Sequence, residues 1–518
     1  MIAHLWLATL LFVQAPAYPI AGTVVHSVTG VPLAGVRMSL TVSRSQKEVA
    51  RTISADDGYF RFASVPAGKY SLVAEKAGFV TQPYGQRSLY ARYSSAIVTA
   101  EGENTEGIVF RMIPSAAITG KVTDELNEPL PGLTIFACLR SGHGDDRRVH
   151  ILHRATTNDL GEYRLHSLAK GAYFIAVTGR VWQSQDILDA SGQRAGYAPA
   201  FHPGVSDFAR AEVVTVEPGA QARADVRMSL AKTVTIQGRF AGAIPEGRAQ
   251  AFLMAPMGKP SRLLVSELVN LSGPAFTIRD VPPGTYELTV AGGSQKVLAR
   301  KTVTVESDPT EVTLGDAPMA SVRAKVQLRG KPSGAGFLIG LLDEDSRFNP
   351  RRMLDESGSV DFGEVLPGRY TPVVYSGTVE AALLSITAGP GVVSGQSIVV
   401  PEAGQVDLRI VADADSFNVS GKVVHAGRPR PGVIVVLIPR SENATALTYR
   451  FDQTDSDGSF LWQAVPPGDY LAFAFEHGEA ADYADEAVMN KLRAKGRPLS
   501  LKGGSNTEVR LELTAEEQ

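Results

Sequence analysis

The sequence of 518 residues has little cysteine, little net charge and no long apolar run. Its single cysteine excludes an internal disulfide framework and any thiolate metal cluster. Its 51 lysines and arginines stand against 54 aspartates and glutamates, which gives a formal net charge of −3. A nucleic-acid binder would show a strong basic excess, so we expect no nucleic-acid partner.

The main apolar run covers only residues 5–13, and a bilayer-spanning helix needs ~20 apolar residues. Ala15-Pro16-Ala17 follows it, in the small-residue pattern after which signal peptidase cuts. We predict that residues 1–17 are a cleaved signal peptide, although the segment before the run has no lysine or arginine. The alternative is a buried element of the first domain. The expected protein is exported, without a transmembrane anchor, and is periplasmic, cell-surface or extracellular.

Glycine and proline are plentiful, with 50 and 31 residues, and many of them fall in a phrase that recurs five times. The phrase is an apolar residue, a Pro-Gly pair or its equivalent, and a tyrosine two residues after the glycine. Proline presets φ for a turn and glycine is expected to supply a positive φ. The tyrosine is expected to bury its ring and to bond its hydroxyl to the backbone. The five copies lie at 65–70, 168–173, 281–286, 365–370 and 465–470.

The segment before each phrase alternates as a half-buried strand does. The residues three and five positions before the leading apolar residue are apolar or aromatic in every copy, which is a period of two. They are Phe62 and Phe60, Leu165 and Tyr163, Ile278 and Phe276, Phe362 and Val360, and Trp462 and Phe460. Three copies also carry a hairpin-type turn before this strand, at 57–58, 160–161 and 457–458.

Short strands with Gly/Pro turns predict an all-β protein, a tandem array of about five Greek-key β-sandwich domains of transthyretin-like or Ig-like type. One short helix is expected near the C-terminus, at 483–494. The joints between domains are short, which favours a semi-rigid rod of ~150 Å. The predicted domains are 18–114, 115–232, 233–317 and 318–414 (the third and fourth divergent), and 415–518.

Several of these motifs together resemble the carboxypeptidase regulatory-like domain. They are the opening Ile118-Thr119-Gly120-Lys121-Val122, the turn at 129–132, the run at 161–164 and the following Gly-x-Tyr phrase. The resemblance implies a transthyretin-like sandwich, grouped with starch-binding-domain-like folds, and tandem arrays in secreted bacterial proteins are similar in layout. In the enzymes that give the family its name, this domain accompanies a separate zinc peptidase domain. The resemblance therefore brings no catalytic residues.

No short catalytic motif is present. None of the nine histidines has a glutamate three residues later, and the sequence has no His-Glu-x-x-His, Gly-x-Ser-x-Gly or phosphate-loop pattern. We predict a non-enzymatic protein with no catalytic, cofactor-binding or metal-binding residues and no cofactor.

Two groups of residues nevertheless have the composition of metal ligands. His143, His150 and His153, with Asp145 and Asp146, could hold a divalent metal, or they lie in a solvated loop whose arginines would repel it. The run at 455–458, Asp-Ser-Asp-Gly, is similar to the start of a calcium loop. Its twelfth position is a proline instead of a glutamate, which favours a simple turn.

A weak candidate ligand surface lies in the second domain. It comprises Trp182, Tyr197, Phe201 and His202, because exposed aromatic side chains form the platforms on which sugars bind. The alternative is that these side chains cover the edge of the core. Trp462 falls on an inward strand position, and Cys138 lies in an apolar strand, so both are expected in the core.

The sequence thus predicts a non-enzymatic extracytoplasmic multi-domain binding or scaffold protein. One alternative is a carbohydrate-binding protein of the periplasm or cell surface, and another is an accessory subunit of a separate hydrolase or transporter. The expected partner is a protein or a glycan at the cell envelope.

Overall fold

The structure is a computed structural model that describes most of residues 16–513. The positions inside that range that it does not cover are 44, 46, 87–93, 142–147, 179–190, 243, 245–248, 258–261, 265–267, 293–296, 307, 316–318, 332, 344–349, 377–378, 390–391, 395–396, 414, 416, 441–448, 477–494 and 503–507. Two predictions, the signal peptide and the C-terminal helix at 483–494, fall largely or wholly outside the described residues and stay predictions.

The described residues confirm the all-β class, with strands throughout and one single-turn 3-10 helix at Phe208–Arg210. We use the term repeat for each of the five segments 18–114, 115–232, 233–317, 318–414 and 415–518. Within the described residues, no helix has the length and apolar character that crossing a membrane requires.

The first repeat contains two sheets, ordered β4-β1-β8 and β3-β2-β5-β6, with β7 also on β5. Its strands are β1 (Ala17–His26), β2 (Arg37–Val42), β3 (Glu48–Ile53), β4 (Tyr59–Pro66), β5 (Gly68–Glu75), β6 (Gln82–Pro83), β7 (Ile97–Thr99) and β8 (Ile108–Met112).

The second repeat has the same pair of sheets, β12-β9-β17 and β11-β10-β13-β15, with β16 also on β13 and β18 also on β9. Strands β14 and β19 form a small extra sheet. The strands are β9 (Ala116–Thr123), β10 (Thr134–Ser141), β11 (Arg148–Thr156), β12 (Glu162–Leu168), β13 (Gly171–Thr178), β14 (Ala195–Tyr197), β15 (Ala200–Phe201), β16 (Val213–Val216), β17 (Gln221–Arg223), β18 (Val226–Arg227) and β19 (Leu230–Lys232).

The third repeat continues the pattern with β24-β20-β27 and β22-β21-β25-β26, and β23 also on β21. Its strands are β20 (Val234–Phe240), β21 (Ala249–Pro256), β22 (Arg262–Leu264), β23 (Val269–Leu271), β24 (Ala275–Val281), β25 (Gly284–Ala291), β26 (Val297–Val305) and β27 (Thr310–Leu314).

In the fourth repeat the two sheets merge into one of nine strands, because β33 pairs with both β32 and β36. The long order is β30-β29-β32-β33-β36-β28-β31. The strands are β28 (Ala320–Arg329), β29 (Phe337–Asp343), β30 (Arg351–Met353), β31 (Ser359–Val365), β32 (Gly368–Ser376), β33 (Val379–Thr387), β34 (Val393–Ser394), β35 (Ser397–Val400) and β36 (Gln405–Asp413).

The fifth repeat returns to two sheets, β38-β37-β41 with β44 also on β37, and β40-β39-β42-β43. Its strands are β37 (Phe417–His425), β38 (Arg428–Pro429), β39 (Ile434–Pro439), β40 (Arg450–Gln453), β41 (Ser459–Val465), β42 (Gly468–Phe475), β43 (Arg497–Leu501) and β44 (Val509–Glu512).

Every repeat shares one arrangement around its opening strand. This strand pairs antiparallel with the strand before the tyrosine phrase and parallel with the closing strand. The opening glycines allow the close approach, because a Cβ on Gly22 would lie 2.0 Å from the Ile108 carbonyl oxygen. Gly120 and Gly421 meet their closing strands in the same way, so glycine here reflects a steric requirement.

The core of each repeat lies between its sheet faces, as the alternation predicted. All but one of the ten predicted inward residues are buried, and Val360 is half-buried. Trp462 is fully buried and donates its indole N–H to the Val435 carbonyl oxygen at 3.4 Å, which confirms its predicted core position.

The tyrosine phrase forms the predicted hydroxyl bond in all five copies. Each tyrosine hydroxyl donates to the carbonyl oxygen four residues earlier, over 2.7 to 3.0 Å. The predicted positive φ at the glycine is wrong for Gly68, Gly171, Gly368 and Gly468. Glycine makes room for the ring instead: a Cβ on Gly68 would lie 3.2 Å from the Tyr70 hydroxyl, tighter than usual contact.

Positive φ occurs in the hairpin-type turns instead, at Gly58, Gly161 and Gly458. The fourth repeat also has this turn, at Gly358, with the Val326 N–H donating to the Gly358 carbonyl oxygen at 2.8 Å. The sequence did not predict it, because the fourth repeat has Ser-Gly where the motif expects Asp-Gly.

Candidate functional site

The aromatic surface predicted in the second repeat is only partly described, and its described residues differ in burial. Phe201 is 2% exposed, so the structure contradicts its place on a ligand surface. Its strand β15 pairs with β13, and its ring packs against Phe208 with centroids 5.2 Å apart. Phe201 belongs to a buried apolar cluster that continues into the third repeat, and the local sequence does not reveal this cluster.

The other predicted surface residues are held by local contacts. Tyr197 ends β14 and is half-buried; burial, then the charges of Asp124 and Glu125, raise its pKa to about 12. His202 pairs its Nδ1 with the Asp225 carbonyl oxygen at 2.7 Å. Trp182 lies outside the described residues and stays a prediction.

The two metal-ligand candidates have different surroundings. His143, Asp145 and Asp146 lie outside the described residues, while His150 and His153 lie on β11. Burial and the nearby His166 lower the pKa of His153. The part of the chain that the structure covers contains no group of three His, Cys, Asp or Glu side chains placed to hold a metal ion.

The turn at 455–458 contacts the first repeat. Asp455 Oδ2 lies 2.6 Å from Lys69 Nζ, and Asp455 Oδ1 accepts the Ala96 N–H at 2.9 Å. The Ser456 N–H donates to the Ala96 carbonyl oxygen and the Ser456 hydroxyl accepts the Val98 N–H, both at 2.9 Å. The backbone beside and within β7 is thus paired by a turn of another repeat.

Buried polar contacts extend this interface beyond the turn. The Ser95 hydroxyl donates to the Thr454 carbonyl oxygen at 2.8 Å, and Gln453 Nε2 donates to the Gly85 carbonyl oxygen at 2.5 Å. Ser95 is 2% exposed and Gln453 1%. Buried polar groups are costly unless they are paired, so these contacts favour one fixed geometry.

This contact contradicts the extended rod expected from the sequence. Lys69 and Asp455 are 386 residues apart, yet they form an ion pair, so the chain returns from its fifth repeat to its first. We call the contact the first–fifth interface; its residues are Lys69, Gly85, Ser95, Ala96, Val98, Gln453, Thr454, Asp455, Ser456 and Ser459. Short joints limit flexibility, but they do not determine the bend at each joint.

The second and third repeats share one apolar core. Cys138, Phe174 and Phe201 of the second repeat belong to the same buried cluster as Met257 of the third. The Cys138 and Met257 sulfur atoms are 4.0 Å apart. Burial raises the pKa of the Cys138 thiol to about 12, so the thiol stays neutral and packs as the small apolar side chain that the sequence predicted.

Comparison with curated proteins gives a match along most of the chain. Colossin-A of Dictyostelium discoideum is 22% identical over 496 residues, which cover 84% of this chain. The chain spans only 4% of the length of that curated relative.

The solved structures that resemble this chain agree poorly with its overall structure. A streptococcal ancillary pilin is 10% identical with a TM-score of 0.19, covering 58% of this chain and all of that chain. Two B repeat units of the collagen-binding protein of Staphylococcus aureus are 10% identical with a TM-score of 0.13, covering 76% and 99%. TM-scores this low carry no argument about the function of this chain.

The family comparison agrees with the motifs of the first two repeats. The model of the carboxypeptidase regulatory-like domain matches residues 19–111 and again residues 117–229. The chain therefore contains two carboxypeptidase regulatory-like domains in tandem.

Proposed function

We propose that this chain is a non-enzymatic extracytoplasmic scaffold protein, whose five β-sandwich domains have the boundaries of the five repeats. Its domains hold binding surfaces in fixed relative positions at the cell envelope. The first–fifth interface is the observation that carries this proposal. The buried Gln453 Nε2 donates to the Ser95 hydroxyl at 3.0 Å, so two repeats that are distant in sequence are held against each other.

The experiment compares capture of envelope components by three forms of chain 18–518. They are the wild type, Asp455→Lys, which places a like charge against Lys69, and Asp56→Lys, which makes the same charge change at an exposed turn. We expect the wild type and Asp56→Lys to retain the same envelope component, and Asp455→Lys to retain much less. Retention of nothing specific, or conversion of an envelope polymer into products, would overturn the proposal.

A further inference from the structure

The outward face of β31, β28 and β36 in the fourth repeat carries two rows of side chains. In the first row, Arg323 lies opposite Asp361 on β31 and Asp407 on β36. Arg323 Nε lies 3.2 Å from Asp361 Oδ2. Charges of opposite sign alternate across this row, as expected of a stable sheet face.

The second row has the opposite character. Lys325 lies opposite Arg409 on one side and Ser359 on the other, and both cations are exposed. Like charges directly opposite on neighbouring strands destabilise a sheet. Lys325 Nζ contacts only hydroxyls closely, those of Ser357 and Ser359 at 3.0 and 3.1 Å. The Lys325 charge interacts with the nearby Asp355 carboxylate, but within the described residues neither Lys325 nor Arg409 forms an ion pair.

Two carboxylates on this face are held by neutral hydrogen-bond donors and keep their negative charge. Asp355 accepts the Ser357 hydroxyl at 2.7 Å and the Ser359 N–H at 2.8 Å, which closes the turn. Both Asp407 oxygens accept Gln405 Nε2, at 2.9 and 2.8 Å.

Equivalent lysines in two other repeats have an acidic residue opposite them or in contact with them. In the second repeat Lys121 lies opposite Glu162, and in the fifth repeat Lys422 Nζ is 3.3 Å from Asp457 Oδ2. Lys325 has Ser359 in the place of that glutamate. Among the residues that the structure describes, Arg352 and Arg409 also form no ion pair, so three of the cations on this face, with Lys325, lack an ion-pair partner.

These side chains line one shallow cleft of about 640 Å³. Its cations are Arg323, Lys325, Arg352 and Arg409, and its carboxylates are Asp355, Asp361 and Asp407. Met353, with 57% of its surface exposed, adds an apolar patch. None of the lining residues that the structure describes is aromatic, so charge is the main means of recognition that they offer.

We propose that this cleft binds an acidic polysaccharide through its carboxylate or sulfate groups. Guanidinium groups match the planar carboxylate and the sulfate with paired hydrogen bonds, and lysine adds a point charge. Strands β28 and β36 are paired on both edges, so an acidic peptide cannot add to them as a further strand. An open cleft suits a chain that carries one charge on many successive sugars. This binding site would give the scaffold a ligand, and the proposal for the site does not depend on the scaffold role.

The test measures binding of the full mature chain to polygalacturonate, heparin, uncharged dextran, poly-glutamate and inorganic sulfate by calorimetry at low and moderate salt. The test variant is Lys325→Gln/Arg409→Gln. The matched control is Lys422→Gln/Arg510→Gln, which removes the same charges at the equivalent register positions of the fifth repeat. All four side chains are exposed or partly exposed on sheet faces, so both variants should fold, which melting curves check, although the control also loses the ion pair between Lys422 and Asp457.

We expect polygalacturonate or heparin to bind, dextran not to bind, and added salt to weaken binding. The test variant should lose affinity by about tenfold or more, because two charge-assisted contacts disappear, and the control should bind as the wild type does. Absence of binding to both acidic polysaccharides would overturn the proposal, as would equal affinity of the test variant. Tighter binding of poly-glutamate would assign the cleft to an acidic peptide, and full competition by millimolar sulfate would reduce it to a site for small anions.

Discussion

At the scale of single residues, the five phrase tyrosines share one role. Each ring is buried beside a glycine, and each hydroxyl satisfies a carbonyl oxygen of the turn. The phrase is thus a packing unit, in which glycine leaves the space that the tyrosine fills. This explains why Gly and Tyr recur even in the third and fourth repeats, where other motifs have changed.

The first prediction concerns that hydroxyl. Tyr286→Phe should lower the stability of the third repeat by about 1 kcal/mol, because the buried Pro282 carbonyl oxygen loses its donor. Differential scanning calorimetry of chain 18–518 measures the shift. Tyr59→Phe is the control, since Tyr59 is 40% exposed and should tolerate the change. Equal melting profiles for Tyr286→Phe and the wild type would contradict the assigned role.

The same tyrosines predict that the stability of the folded chain falls at alkaline pH. Burial raises the pKa of Tyr286 and Tyr470 to about 12, whereas an unfolded tyrosine titrates near ~10. Below about pH 10 both states keep the proton; above it the unfolded state loses the proton first, so stability falls as the pH rises toward 12. Between about pH 10 and pH 12, the melting temperature of the Tyr286→Phe/Tyr470→Phe variant should fall less than that of the wild type. If the melting temperatures of variant and wild type fell equally with rising pH, the result would contradict this prediction.

At the scale of elements, all five opening strands shift register against the strand that precedes the tyrosine phrase. Positive φ occurs near this irregularity at Ser167, Asp280, Gly363 and Ala464. Only glycine adopts that conformation without strain, so three repeats hold a strained residue at the bulge.

Exchanging residues at the bulge should change stability in opposite directions. Ala464→Gly relieves the strain at φ 49° and should stabilise the fifth repeat by a few tenths to about 1 kcal/mol. Gly363→Ala, at φ 71° with no atom within 4 Å of the new Cβ, should destabilise the fourth repeat by a similar amount. Chemical denaturation measures both. A stabilising Gly363→Ala would show that backbone strain does not determine these positions.

Much of the element structure could be predicted from local sequence. Alternation identified the strands before the phrase, and the recurring tyrosine predicted its own hydrogen bond. The turn at Gly358 was not predicted, because serine replaces the expected aspartate. The candidate surface failed at Phe201 because local sequence shows that a strand residue is apolar, but it does not show the buried cluster to which that residue belongs.

At the scale of the whole molecule, the first–fifth interface could not be predicted. Its contacts are made by short polar segments, largely through backbone groups, and backbone groups leave no pattern in the sequence. The turn at 455–458 carried a signal, but that signal suggested calcium or a plain hairpin. Its aspartate instead neutralises Lys69.

A zero-length cross-link should detect this contact chemically. Carbodiimide joins an amine to a carboxylate in direct contact, and Lys69 Nζ lies 2.6 Å from Asp455 Oδ2. We expect mass spectrometry of the monomer to find an amide between peptides containing Lys69 and Asp455. Lys69→Arg keeps the ion pair but removes the reactive amine, so it should abolish this product. A product seen only in covalent dimers would mean that the contact forms between two chains.

The central claim is that the array closes on itself, and small-angle X-ray scattering of monomeric chain 18–518 tests it most directly. Five repeats of ~30 Å placed end to end would reach ~150 Å. Closure predicts a maximum dimension of about two thirds of that length or less, and a clear increase in Asp455→Lys. A wild-type maximum near ~150 Å with a rod-like distance distribution would contradict the account.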